Sequence, residues 1–122
     1  LTGNGQYLKD DTAIAAACHN YFFMEFTPGQ GEPFRMLKKG DVWFTAVMLR
    51  GFIELYQVDG NKVYLDSFAR SLDYAWTHAR EDNGLFNTDF TGKSCDNRKW
   101  LLTQAAMVEM YARLAVFANQ SL

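Results

Sequence analysis

Two adjacent carboxylates, Asp10 and Asp11, close the stretch "TGNGQYLKDD". A retaining glycosidase needs its two carboxyl groups about 5 to 5.5 Å apart, a separation that neighbouring aspartates can approach. The plainer role is to open a helix, because unpaired backbone N–H groups and the helix dipole favour carboxylates in a first turn. A second concentration of chemistry is "EDNGLFNTDFTGKSCDN", Glu81 to Asn97, which carries Asp82, Asp89 and Asp96, amides from Asn83, Asn87 and Asn97, and the rings of Phe86 and Phe90. Carboxylates and amides satisfy sugar hydroxyls while aromatic rings pack on the apolar face of a pyranose, so convergent groups of this kind suit a ligand site. They equally suit an ordered loop whose phenylalanines plug the core and whose Asn-Gly pair turns the chain. Asp41 opens an apolar segment, as an N-cap or as a group facing a cleft, with Trp43 just inside it. For Trp100, packing is the expected role. Arg50, Glu54 and Gln57 share one helical stripe and read as a polar seam within a single helix. Cys18 and His19 have no further donor at ligand spacing, so no metal is expected there. Nucleophile-elbow, P-loop and dinucleotide glycine motifs are absent, and no cofactor is expected.

Four helical segments must position these residues: about Leu8 to Phe26, Asp41 to Val58, Val63 to Arg80, and Arg98 to Ala118, with no strand alternation between them. In the third, Leu65, Phe68, Ala69, Leu72, Trp76 and Ala79 fall on one stripe and Asp66, Arg70, Asp73 and Thr77 off it, so this helix has one wet face. The second and fourth are apolar almost all round, as helices buried on most sides are. The pattern also repeats. "TGNGQYL" at Thr2 to Leu8 matches "DGNKVYL" at Asp59 to Leu65 with an offset of 57 residues, an offset that Trp43 and Trp100 share. Glu54 to Tyr56 answers Glu109 to Tyr111 with an offset of 55. Two units follow, about residues 1–58 and 59–118, each a turn, an outer helix, a long loop and a buried helix. Hairpins of this kind bury their apolar faces only by stacking on neighbours, and an array usually needs about three or more. The expected fold is therefore all-α, helical hairpins of an (α/α)6 toroid, with four helices making up about one third of the barrel. A self-contained four-helix bundle is the alternative. Because the chain starts within a turn motif, it is expected to be part of a larger toroid domain. By itself it is expected to self-associate or to behave as a molten globule.

Composition narrows the partners. Twelve basic and 14 acidic residues are interspersed, which leaves no basic stripe for nucleic acid or an anionic membrane surface. No apolar run approaches the roughly 20 residues of a membrane-spanning helix, and no targeting signal stands at Leu1. Two cysteines, Cys18 and Cys95, are too few for a disulfide framework and leave the redox compartment open.

The run from Gly40 to Gly92, "GDVWFTAVMLRGFIELYQVDGNKVYLDSFARSLDYAWTHAREDNGLFNTDFTG", followed by "LLTQAAMVEMYARLA", resembles the C-terminal third of glycoside hydrolase family 76, the endo-α-1,6-mannanases. The elements that carry the resemblance are the Gly-Asp before "LRGFIELY", the turn before Tyr64-Leu65, the loop "DNGLFNTDFTG", and the helix that opens "TQAAMVEMYA". It implies an α/α toroid that cleaves α-1,6-mannan with retention through two adjacent aspartates and no metal. By the same resemblance that pair lies in an earlier hairpin, so no catalytic role passes to Asp10 and Asp11. What passes is a cleft wall: Asp41 as a ligand of sugar hydroxyls, with Phe86, Asp89 and Phe90 as further substrate-binding residues. Trp43 joins them by its place one turn or less into its helix, where lining the cleft and packing between hairpins are both open to it. Thr45 departs from the Lys that many members carry after the residue matching Phe44. The resemblance implies an oligo- or polysaccharide partner (α-mannan), an extracytoplasmic location in a bacterium, and an association with the remainder of a parent chain or with other copies. As a 122-residue chain it is expected to be inactive alone. Two other readings stand beside it. An unsaturated glucuronyl hydrolase type of toroid would need cations for a uronate, for which only Arg35, Lys38, Lys39 and Lys93 lie in the long loops. A non-catalytic helical-repeat interaction module would instead expose an apolar groove.

Overall fold

A computed structural model describes residues 5–120, with α1 at Gly5–Phe22, β1 at Phe23–Phe26, β2 at Phe34–Leu37, α2 at Val42–Asp59, α3 at Val63–His78 and α4 at Leu101–Gln120. Helices dominate, as the apolar periodicity requires, and all four expected helices are present. The repeat matches at Thr2, Gly3 and Asn4 lie outside the described residues.

The expectation of an all-α chain needs one correction. The first helix stops at Phe22, and the stretch after it forms an antiparallel hairpin that pairs Phe23 with Leu37, Met24 with Met36, Glu25 with Arg35 and Phe26 with Phe34. Strands of four residues offer too few positions for alternation to be read, and apolar residues on both faces of Phe23–Phe26 continue the pattern of α1. Arg35 explains why the helix can end there: its guanidinium Nη2 donates to the carbonyls of His19 at 3.0 Å and Phe23 at 2.9 Å. A cation is thereby set among the otherwise unpaired C-terminal carbonyls of α1.

The hairpin lies on α3, and two serines explain how polar atoms are tolerated there. Ser71 accepts the Leu37 N–H at 3.1 Å and donates to the Ser67 carbonyl at 2.8 Å. Ser67 in turn meets His19 Nε2 at 2.8 Å. Around this seam Phe23, Phe52 and Phe68 pack edge to face, with Phe68 at 5.3 Å from Phe23 and 5.6 Å from Phe52, an arrangement that suits ring quadrupoles. Leu65, Phe68 and Leu72 of α3 and its C-cap Ala79 are buried, and Asp66, Arg70, Asp73 and Thr77 are exposed, as its stripe requires. Trp76 departs from that stripe: it stays half exposed under the Arg80 guanidinium.

The short link between α2 and α3 is built from side-chain turns. Gly60, at φ 71°, ends α2 by donating to the Tyr56 carbonyl. Asp59 and Asn61 then each accept a backbone N–H two residues on, from Asn61 and Val63.

The second and fourth helices are covered on one side only, which corrects the expectation that both are buried on most sides. Val42, Ala46, Met48, Leu49 and Phe52 of α2 and Ala106, Met107 and Met110 of α4 face the core. Leu101 and Val108 stand 84% and 69% exposed, and Trp43, Phe44 and Val47 lie open on α2. Trp100, expected to pack, is exposed as well. Arg50 of the polar stripe reaches between helices rather than along its own: its Nε donates to Glu109 of α4 at 2.8 Å, and Arg113 adds a second contact to the same carboxylate, while Glu54 and Gln57 are exposed.

Candidate functional site

The link before α2 and the long α3–α4 loop meet at one end of the fold. Asp41 is the N-cap of α2, with φ −76° and ψ 106°, and its Oδ1 accepts the Trp43 N–H at 3.0 Å. Both Asp41 and the neighbouring Trp43 ring, which is 49% exposed, face solvent. Capping therefore uses one carboxylate oxygen, and Oδ2 has no partner among the described residues. A free carboxylate oxygen beside an open indole offers a hydrogen-bond acceptor and a stacking face together.

The loop from Arg80 to Trp100 is irregular in backbone and dense in hydrogen bonds. Phe86 and Phe90 drive their rings into the core, at 7% and 3% exposure, which is the plugging arrangement rather than an open ring face. Gln104 of α4 grips the loop from the inside, donating to the Phe86 carbonyl at 2.9 Å and accepting the Phe86 N–H at 2.8 Å. Asn87 is buried and donates to the Ala79 carbonyl, while its Oδ1 accepts the Asp96 N–H. Asp96 accepts both the N–H and the hydroxyl of Thr88. Lys99 closes the base through a 3.0 Å ion pair with Glu81, whose pKa it holds below the ordinary carboxylate value.

Asp89 is the centre of the second half of the loop. Its Oδ1 accepts from the Thr91 N–H and hydroxyl at 3.0 and 2.6 Å, and its Oδ2 from the Ser94 N–H and hydroxyl at 3.1 and 2.9 Å. Burial pushes the pKa of this carboxyl up, but the donors from Thr91 and Ser94 outweigh burial and hold it below its ordinary value. Gly92 completes the turn at φ 75°, where a Cβ would sit 2.2 Å from the His78 carbonyl oxygen, so only glycine fits. At the surface, Lys39 donates to Ser94 Oγ at 3.2 Å and ties the loop to the segment before Asp41.

Asp10 and Asp11 lie elsewhere. Both are exposed on α1, with Asp10 accepting from Gln6 at 3.0 Å. The described part of α1 already runs through Gly5 to Lys9 before Asp10, so Asp10 lies beyond the first turn and its expected helix-opening role is corrected. From Asp10 to Phe22, at about 1.5 Å per residue, is roughly 18 Å along the helix. Phe22 accepts the Lys38 N–H, close to Asp41, so the aspartate pair sits towards the opposite end of the fold from the Asp41 surface.

Residues that carry the site from behind were not evident from their types alone. Thr91 and Ser94 stand two and five places after Asp89, a spacing that carries a local Asx-turn signal. Gln104 and Glu109 act across long sequence separations and leave no local trace. Cys18 is half-buried, Cys95 is exposed, and both are free. Among the described residues, no three His, Cys, Asp or Glu side chains converge as a metal site would require, and no helix is long and apolar enough to cross a membrane.

No family model and no curated protein matches the chain. Solved structures do. A glycoside hydrolase family 76 mannosidase from Bacteroides thetaiotaomicron VPI-5482 is 36% identical over 100% of this chain, with a TM-score of 0.91. A family 76 glycoside hydrolase from a bovine Bacteroides thetaiotaomicron strain is 37% identical over 96% of it, also with a TM-score of 0.91. The chain spans 33% of the first of these proteins and 25% of the second. With the expected order of turn, loop and helix motifs realised on the same backbone path, the chain belongs to glycoside hydrolase family 76.

Proposed function

We propose that this chain is part of a glycoside hydrolase acting on α-1,6-linked mannan, and that it contributes a wall of the substrate cleft and not the catalytic aspartate pair. The observation that carries the reading is the pairing of the free Asp41 Oδ2 with the half-exposed Trp43 ring at the start of α2. A mannosyl unit lays its apolar face on Trp43 and donates a hydroxyl to Asp41, while Phe86, Asp89 and Phe90 form the loop that supports this surface from behind. The mannosidase named among its structural neighbours supports the sugar, and the two thirds of that protein which this chain does not cover leave room for the hairpins that would hold nucleophile and acid. Such an enzyme works outside the cytoplasm, where polysaccharide is met.

The uronate alternative is weakened by how the cations are used. Arg35 is spent on the carbonyls that end α1, and Lys39 is engaged with Ser94. Affinity electrophoresis of the proposed parent enzyme through gels containing α-1,6-mannan tests the reading. Retardation that Asp41→Ala reduces by at least about tenfold in affinity is expected, the loss of a well-placed charged hydrogen bond being worth about 1.5–3 kcal/mol. Equal retardation of both proteins removes Asp41 from the site.

A further inference from the structure

Asp89 has the residue type of a sugar ligand, yet its geometry gives it another task. A carboxylate offers about four lone-pair positions, and four donors from Thr91 and Ser94 already occupy them. A sugar hydroxyl could bind only by displacing one of those donors. What Asp89 does instead is set the direction of the Ser94 hydroxyl, whose hydrogen it accepts, so that the remaining lone pairs of Ser94 Oγ are left for Lys39. The other side of the turn is immobilised by Gly92 against the His78 carbonyl, so Ser94 is held from a fixed base.

We propose that Asp89 is a positioning residue: through Ser94 and Lys39 it fixes the Lys39–Asp41 segment, and with it the orientation in which Asp41 and Trp43 meet the sugar. The inference deepens the mannan reading and rests on it for the identity of the ligand alone. The chain of contacts runs from the Asp89 carboxylate to the Ser94 hydroxyl, to the Lys39 ammonium, and two residues along the backbone to the cap that accepts the Trp43 N–H. Loop and helix start are thus coupled across a sequence distance that no local motif spans.

The test separates positioning from mere loop stability. In the proposed parent enzyme, hydrogen exchange of the Trp43 amide reports whether Asp41 still caps α2. Asp89→Ala, Ser94→Ala and Lys39→Met should each speed that exchange by about tenfold, while Ser94→Thr, which keeps the hydroxyl, should leave it within about twofold. Mannan affinity should follow the same order. If Ser94→Ala and Lys39→Met leave the Trp43 amide unchanged, the proposal is overturned, whatever Asp89→Ala does to thermal stability. Should Asp89→Ala fail to fold, the partly exposed Ser94 and exposed Lys39 variants still decide. Absence of mannan binding by the unmodified parent enzyme would sink the functional reading, and the exchange rates would decide the positioning role independently.

Discussion

Asp41 combines a structural and a proposed ligand role, and substitutions separate them. Asn caps a helix about as well as Asp, whereas Ala forfeits about 1 kcal/mol of capping. Asp41→Asn should hold the thermal midpoint and still lose mannan affinity, and Asp41→Ala should lose both, as calorimetry and affinity electrophoresis would show. Gly92→Ala should be among the most destabilising changes in the chain, because an alanine there must adopt a left-handed backbone at about 1–2 kcal/mol and also collide with the His78 carbonyl. Urea titration reads that loss directly. Titration behaviour follows from single residues too. His19 has a pKa lowered from 6.5 by burial and then by Arg35, so the unfolded chain takes up its proton first and stability should decline as pH falls below 6.5. Asp89 and Glu109 have lowered pKa values, so their contributions are complete above their ordinary values of 3.8 and 4.5 and are lost as pH falls below them. The thermal midpoint should therefore drop in two stages, and His19→Gln should remove only the upper one. Residue types announced Asp41 and Asp89 as polar groups of interest, but not their division of labour. That depended on which donors surround each carboxylate, and only the fold supplies them.

Among the elements, the helices were legible because sixteen to twenty residues give several turns of apolar periodicity, and α3 showed it most clearly. The hairpin was not, since four-residue strands after an apolar helix end do not break the pattern. The α3–α4 loop was legible as a loop, with two readings open for its phenylalanines, and burial of both rings shows how they pack in this chain. Its attachment to α4 could not be read, because Gln104 recognises the backbone of Phe86 and backbone carries no sequence signal. Gln104→Ala leaves one partly buried N–H and one carbonyl without partners, at about 1–3 kcal/mol for each such group. Urea unfolding should show that loss, with hydrogen exchange fastest around Phe86 and the core of α3 little changed.

At the level of the whole molecule, apolar residues exceed what 122 residues can cover, since α4 leaves Leu101, Leu102, Val108 and Val116 open and α2 leaves Phe44 and Val47 open beside the proposed sugar face of Trp43. Repeated hairpins place such faces against neighbouring hairpins, and the family 76 structures that the chain matches are three to four times as long. As a separate polypeptide the chain should therefore sediment as oligomers, and a monomer with a sharp thermal transition would show that these faces need no cover. The 57-residue repeat gave the expectation of stacked hairpins, although its paired positions do not all match in the fold: Leu8 is open where Leu65 is buried, and Trp43 lies inside α2 where Trp100 precedes α4. The central claim, a mannan-binding wall built on Asp41 and Trp43, is tested most directly by affinity electrophoresis of the proposed parent enzyme in α-1,6-mannan beside a uronic-acid polymer. Retardation by mannan alone, lost in Asp41→Ala, is the expected result. Retardation by the uronic-acid polymer, or by neither, would contradict it.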